Sequence, residues 1–286
     1  MKRKLKKEHF WYGLLMISFI MCYFSTFQWL NHKYSVTDSY YSHGYLVPFI
    51  VIYLIYIKRD QLSRKPIQDP LGYALIGAAL IVHVIAVMAD INFISGYSIL
   101  IYLTGVFLLI LGRRNTKKIW FALFFLIFMF PIPNDFINYI GLPTKSMATD
   151  VGMVIIRLLD IPFYREGFQI QLTNTTLIVG TPCNGMKSLI SFGAIGVLSL
   201  YLFGVTFKKS LLIILGIYPL SIILNGFRIA ILVYIANAYG IEKASPESFF
   251  HDLSGIVVFL IGLVAIMVLV NFWKKKQRQD NQHSTD

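Results

Sequence analysis

Charge is scarce in this sequence. Only 14% of its 286 residues are Asp, Glu, Lys or Arg, while 56% are apolar, and a soluble domain of ordinary composition carries far more charge than that. The acidic residues are the scarcer half, 14 against 26 basic. Asp90, Asp135, Asp150, Asp160 and Glu166 stand at no spacing that pairs them, which argues against an aspartic-type site or a transferase built on converging carboxylates. Cysteine is scarcer still: Cys22 and Cys183 supply neither a disulfide framework nor a metal-ligand spacing. The net charge of +12 does not point to nucleic acid, because the basic residues stand in short clusters between apolar blocks, as they do in membrane proteins.

What is present in abundance is long apolar runs without the rhythm of a half-buried element. About 20 such residues let a helix cross roughly 30 Å of hydrocarbon. The runs predict an all-α polytopic membrane protein of about eight spans, at residues 10–30, 45–57, 71–89, 93–111, 118–133, 184–204, 210–238 and 253–273. These make one integral membrane domain over residues 1–273, followed by a tail, 274–286, expected to be disordered and cytoplasmic. The first block has the basic flank of a signal peptide, but its length and lack of a small-residue cleavage site read as an uncleaved span. Alternate loops carry 19 and five Lys or Arg residues, which places both termini in the cytoplasm of a multi-pass cell-membrane protein.

An extracytoplasmic insertion is expected over residues 134–182. Its first part carries Phe136, Ile140, Met147, Val151, Val154, Ile155 and Leu158 mostly at helical spacing, which predicts one or two amphipathic helices near the membrane surface. Its second part alternates Phe168, Ile170 and Leu172, turns at Asn174-Thr175, and resumes with Leu177 and Val179. That pattern is a short β-hairpin just before the helix of the cysteine.

Three residues gather at the outer ends of different spans. Cys183, in Thr181-Pro182-Cys183-Asn184-Gly185, is expected in the first turn of a helix, where free N–H groups and the dipole favour a thiolate. Lys187, one turn on, would lower the thiol pKa further. Arg228 interrupts an apolar span at a cost of several kcal/mol unless it faces a polar cavity or snorkels to headgroups. Asn225, one turn below, favours the cavity. His251 opens the last span as either a proton carrier or an ordinary interfacial residue. Together a sulfur nucleophile, an imidazole and a cation for an oxyanion make an acyl-transfer set. His43, in Ser42-His43-Gly44, is a substrate contact, a second proton carrier or part of an aromatic belt. His83, within a span, reads as hydrogen-bonded inside the bundle.

At these residues the chain resembles the exosortase/archaeosortase family of membrane cysteine transpeptidases. The resemblance runs from about Ser42 to Val270, through Ser42-His43-Gly44, Arg165-Glu166-Gly167, Cys183-Asn184-Gly185-Met186-Lys187-Ser188, Asn225 with Arg228, and His251. The family's cysteine segment reads Cys-Ser-Gly-hydrophobic-Arg-Ser. Here Asn184 and Lys187 stand for the serine and the arginine, and Lys keeps the charge without the bidentate fork. The resemblance implies that Cys183 attacks a peptide carbonyl in a C-terminal sorting signal, PEP-CTERM-like, made of a short motif, a spanning helix and a basic tail. It implies that Arg228 stabilises the thiolate or oxyanion with Asn225 orienting it, that His251 protonates the leaving amine, and that no metal or organic cofactor takes part. The partners implied are the sorting-signal helices of exported proteins and the bilayer. The competing reading is a transporter or exopolysaccharide-export component, in which Arg228 binds an anion and Cys183 is incidental.

Overall fold

The structure is a computed structural model that describes residues 13, 16–36, 39–63, 67–180 and 185–283. It divides into two compact units, Met1–Ile132 and Pro133–Asp286.

The first unit contains α1 (Phe24–Ser35), α2 (Val47–Tyr56), α3 (Leu71–Met88), α4 (Asn92–Lys118) and α5 (Trp120–Phe125). Helices α3 and α4 form an antiparallel pair whose backbones meet at small residues, as closely packed membrane helices do. A Cβ at Gly72 would lie 2.6 Å from the Gly105 carbonyl oxygen. His83 is 4% exposed, with Nδ1 2.8 Å from Ser95 Oγ and Nε2 3.0 Å from the Cys22 carbonyl oxygen. The Cys22 carbonyl can only accept, so Nε2 carries the hydrogen of that bond. Thr26 closes the network 2.5 Å from Ser95 Oγ. His83 is thus hydrogen-bonded within the bundle, as the sequence reading preferred. Cys22 is exposed at the surface of the unit, not buried as a thiol inside an apolar block would ordinarily be.

The second unit contains α6 (Asn134–Leu158), β1 (Phe163–Glu166), β2 (Gln169–Leu172), β3 (Thr176–Ile178), α7 (Met186–Phe203), α8 (Phe207–Tyr239), α9 (Ile241–Ala244) and α10 (Phe249–His283). The first part of the expected insertion is one helix, α6. It turns Ile137, Gly141, Thr144, Ala148, Gly152 and Ile156 inward and leaves Phe136, Tyr139, Leu142 and Leu158 exposed. Its crossing with α8 is close: a Cβ at Gly226 would lie 2.5 Å from Val151 Cγ1 and 3.0 Å from the Ala148 carbonyl oxygen.

The strands form an antiparallel meander, β1-β2-β3, with Ile170 opposite Leu177. The expected hairpin is β2-β3, and its alternation holds: Ile170, Leu172, Leu177 and Val179 are buried against Met153, Ile156, Ile229 and Val233. β1 is an addition. It is tied to α6 by an ion pair between Arg165 and Asp150, a partnership the sequence did not disclose.

Among the described residues five helices are long and apolar enough to cross a membrane: Leu71–Met88, Asn92–Lys118, Met186–Phe203, Phe207–Tyr239 and Ile241–Gln277. A sixth results if the helices either side of residues 130–133 form one broken span. The expected eight differ from this for physical reasons. The first span lies partly outside the described residues. The second is only the apolar helical stretch Ser42–Tyr56. The fifth is α5, then a 3-10 turn, Leu126–Met129, before Pro131 and Pro133 forbid continuation. The C-terminal tail departs from the expected disorder, since α10 continues to His283. Its Gln277 side chain accepts from the Thr206 N–H at 3.1 Å and donates to the Gly204 carbonyl at 3.4 Å, clasping the α7–α8 turn.

Candidate functional site

Helix α8 places Ser221, Asn225 and Arg228 at i, i+4 and i+7, which puts them on one face. Ser221 and Asn225 are 0% and 4% exposed, and Arg228 is half-buried. Buried polar side chains in a helix this apolar must meet polar partners, and these meet the chain entering α7. Ser221 Oγ donates to the Gly185 carbonyl at 3.2 Å. Gly185 caps α7 in the left-handed region, φ 73°, a conformation that suits glycine best. A Cβ there would lie 3.3 Å from Thr144 Cγ2 and 3.5 Å from Asn225 Nδ2. Thr144 itself is anchored to the Ile140 carbonyl at 2.7 Å. The residue two positions after Cys183 is thereby seated between α6 and the polar face of α8.

Helix α10 brings the histidine to the neighbouring position. Ser248 precedes its first turn, and its Oγ accepts from the His251 N–H at 3.2 Å, the usual N-cap arrangement. His251 is 3% exposed. One turn along the same face is Gly255, where an added Cβ would lie 3.4 Å from an Arg228 Nη and 3.5 Å from its Cζ. The guanidinium therefore lies across Gly255, one turn from the imidazole. A small cavity of about 50 Å³ is bordered by Leu177, Ile178, Val179 and Gly180 at the end of the sheet, by Ile229 and Leu232 of α8, and by His251. Gly180 is three positions before Cys183.

The room at Gly255 sets an expectation. Gly255→Ala meets only ordinary van der Waals contact and gains helix propensity of roughly 0.5–1 kcal/mol, so its thermal unfolding midpoint is expected at or above that of the parent. Gly255→Leu must displace the guanidinium and is expected to lower the midpoint. Equal midpoints in the two purified variants would show that Arg228 need not lie there.

Cys183 and Asn184 lie outside the described residues. Lys187 is exposed in the first turn of α7, which begins at Met186, so its expected place one turn above Cys183 in a common helix also lies outside them. His43 belongs to the first unit, in the 3-10 turn Ser42–Tyr45, its ring 6.2 Å from that of Tyr41. Tyr41 in turn accepts the Ile132 N–H at 2.9 Å.

Sequence reading passed over Ser221, Thr144 and Gly255. For Ser221 and Gly255 the signal was helical spacing from residues already singled out, four before Asn225 and four after His251, whereas Thr144 became visible only when α6 packed on α8.

The family model described as transmembrane exosortase (Exosortase_EpsH) matches residues 29–268. Neither the curated proteins nor the solved structures give a match.

Proposed function

Because the chain belongs to the transmembrane exosortase family, we propose that it is a membrane cysteine transpeptidase or protease acting on C-terminal sorting signals of exported proteins. The arrangement that supports this most directly is the pair of chain ends flanking Cys183. Gly180 borders the cavity of His251, and Gly185 sits against Asn225 and Ser221. The described residues on either side of the cysteine segment, Gly180 and Gly185, thus border the side chains of His251 and of Asn225, which supports assigning Cys183 to the same site.

The chemistry follows from these groups. The Cys183 thiol passes its proton to His251, and the thiolate attacks the scissile carbonyl, forming a C–S bond and an oxyanion. Arg228 faces the charge that develops on oxygen. When the oxyanion collapses, the C–N bond breaks and the leaving amine takes the proton from His251. The acyl group remains as a thioester until an acceptor amine or water attacks it and restores the thiol. Asn225 orients Arg228, while Lys187 and Asn184 complete the polar surroundings of the sulfur. His43 is a substrate contact or second proton carrier in this reading. The site faces the exterior and both termini the cytoplasm, so a substrate whose basic tail stays inside presents its scissile bond at the outer surface.

The test is a reporter protein ending in a Pro-Glu-Pro motif, one spanning helix and an Arg/Lys tail, reconstituted with the purified enzyme in vesicles. Mass spectrometry of the reporter is expected to show an N-terminal fragment ending at the motif, with the tail helix left behind. An intact reporter under conditions where the enzyme is folded, across a panel of alternative motifs, would favour the transporter reading instead.

A further inference from the structure

The first unit holds a cavity that the reaction does not use. It is a groove of about 540 Å³ between α4, α5 and the start of α3. Its walls are hydrocarbon, among them Leu100, Leu108 and Phe124, whereas one end is formed by Arg113, Lys117 and Trp120. A groove of this composition has two requirements at once, an apolar occupant along its length and an anion at its end.

The backbone explains why the cations gather there. Helix α4 breaks at Gly112, with φ 70° and ψ 165°, and a Cβ at this position would lie 2.0 Å from the Ile67 carbonyl oxygen. No larger side chain fits, so the loop closes on the helix and the turn after the break is held beside it. Asn115, 1% exposed, fixes that turn by accepting the Ser63 N–H at 2.9 Å and donating to the Ser63 carbonyl at 3.1 Å. Among the described residues Asp69 takes the Nε of Arg113, at 2.6 Å, and the terminal guanidinium nitrogens are further donors. The Leu71 N–H and this arginine hold the Asp69 carboxyl below its usual range, so it stays ionised at neutral pH. Lys117 is exposed beside it, and so is Trp120, 59% exposed, a residue type that favours the headgroup level of a bilayer.

We propose that this groove is a binding site for a phospholipid with an anionic headgroup, an acyl chain lying along Leu100, Leu108 and Phe124 and the phosphate held by Arg113 and Lys117. The sign of the charge separates this occupant from the alternative apolar guest. A sorting-signal helix ends in Arg and Lys, which Arg113, Arg114, Lys117 and Lys118 would repel at close range. Juxtamembrane cations, by contrast, gain affinity for anionic lipid with each residue added.

Native mass spectrometry of the full-length protein tests it, after exchange into detergent containing equal phosphatidylglycerol and phosphatidylcholine with matched acyl chains. Phosphatidylglycerol is expected to stay bound through washing that strips phosphatidylcholine. At about 1 kcal/mol per cation, Lys117→Gln lowers its retention about fivefold and Arg113→Gln with Lys117→Gln about 25-fold. Leu100→Trp fills the groove while keeping the cations, and is expected to release the lipid as well. Equal retention of the two lipids, or undiminished retention in the Lys117→Gln or Leu100→Trp protein, overturns the proposal. Lys117 is exposed, so its variant provides a folded protein in which to read the result.

Discussion

Cleavage of the sorting-signal reporter is expected to fall at least about 10³-fold when Cys183 becomes alanine, and nearly as far when it becomes serine. Removing a catalytic nucleophile leaves only the acceleration due to binding and oxyanion stabilisation. Serine keeps the size of the side chain, but an alcohol beside a single imidazole is a far weaker nucleophile than a thiolate. The loss should appear in kcat, with the reporter still bound, because the sulfur does its work in the transition state. Transport of an anion would be indifferent to both substitutions. Initial rates of fragment release, with reporter binding measured in parallel, decide between the two readings. A Cys183→Ser protein that processes the reporter at the parent rate would remove the enzymatic account.

Arg228 carries the second large effect. Arg228→Ala is expected to lower kcat about 10²- to 10³-fold, the usual consequence of removing one donor aimed at a developing oxyanion. Arg228→Lys should recover only part of this, because an ammonium retains the charge but not the planar fork. The stability consequence has the opposite sign to the catalytic one. A guanidinium within an apolar span costs several kcal/mol of insertion free energy, so the alanine protein should be no less stable, and Gly255 opposite it loses no essential packing. A thermal unfolding midpoint at or above the parent value, together with the rate loss, separates a functional cation from a structural one. If Arg228→Ala cleaves normally, the residue only snorkels.

Much of this organisation was legible because hydrocarbon leaves a backbone few options. The runs at Leu71–Met88 and Asn92–Lys118 could be read directly, as could the β2-β3 alternation of Ile170, Leu172, Leu177 and Val179. The strand Phe163–Glu166 was not legible, because its inward residue Arg165 is held by Asp150, a partner fixed only when α6 and the sheet pack. The tail was misread for a related reason. Its composition is that of a solvated segment, and its helix is held by what Gln277 finds at Gly204 and Thr206. In the site, the face shared by Ser221, Asn225 and Arg228 follows from helical spacing alone. That Arg228 would cross Gly255 and that Gly185 would dock on Ser221 depends on which helices become neighbours, and one chain's periodicity carries no such information.

The central claim is that the Cys183 sulfur receives the acyl group, and the most direct measurement of it is the mass of that adduct. The reporter is mixed with enzyme, quenched in acid within the first turnovers, digested and analysed by peptide mass spectrometry. The account predicts a hydroxylamine-sensitive adduct on the peptide containing Cys183, equal in mass to the released acyl fragment and absent from the Cys183→Ala protein. Turnover proceeding with Cys183 unmodified, or an adduct located on another residue, would contradict it.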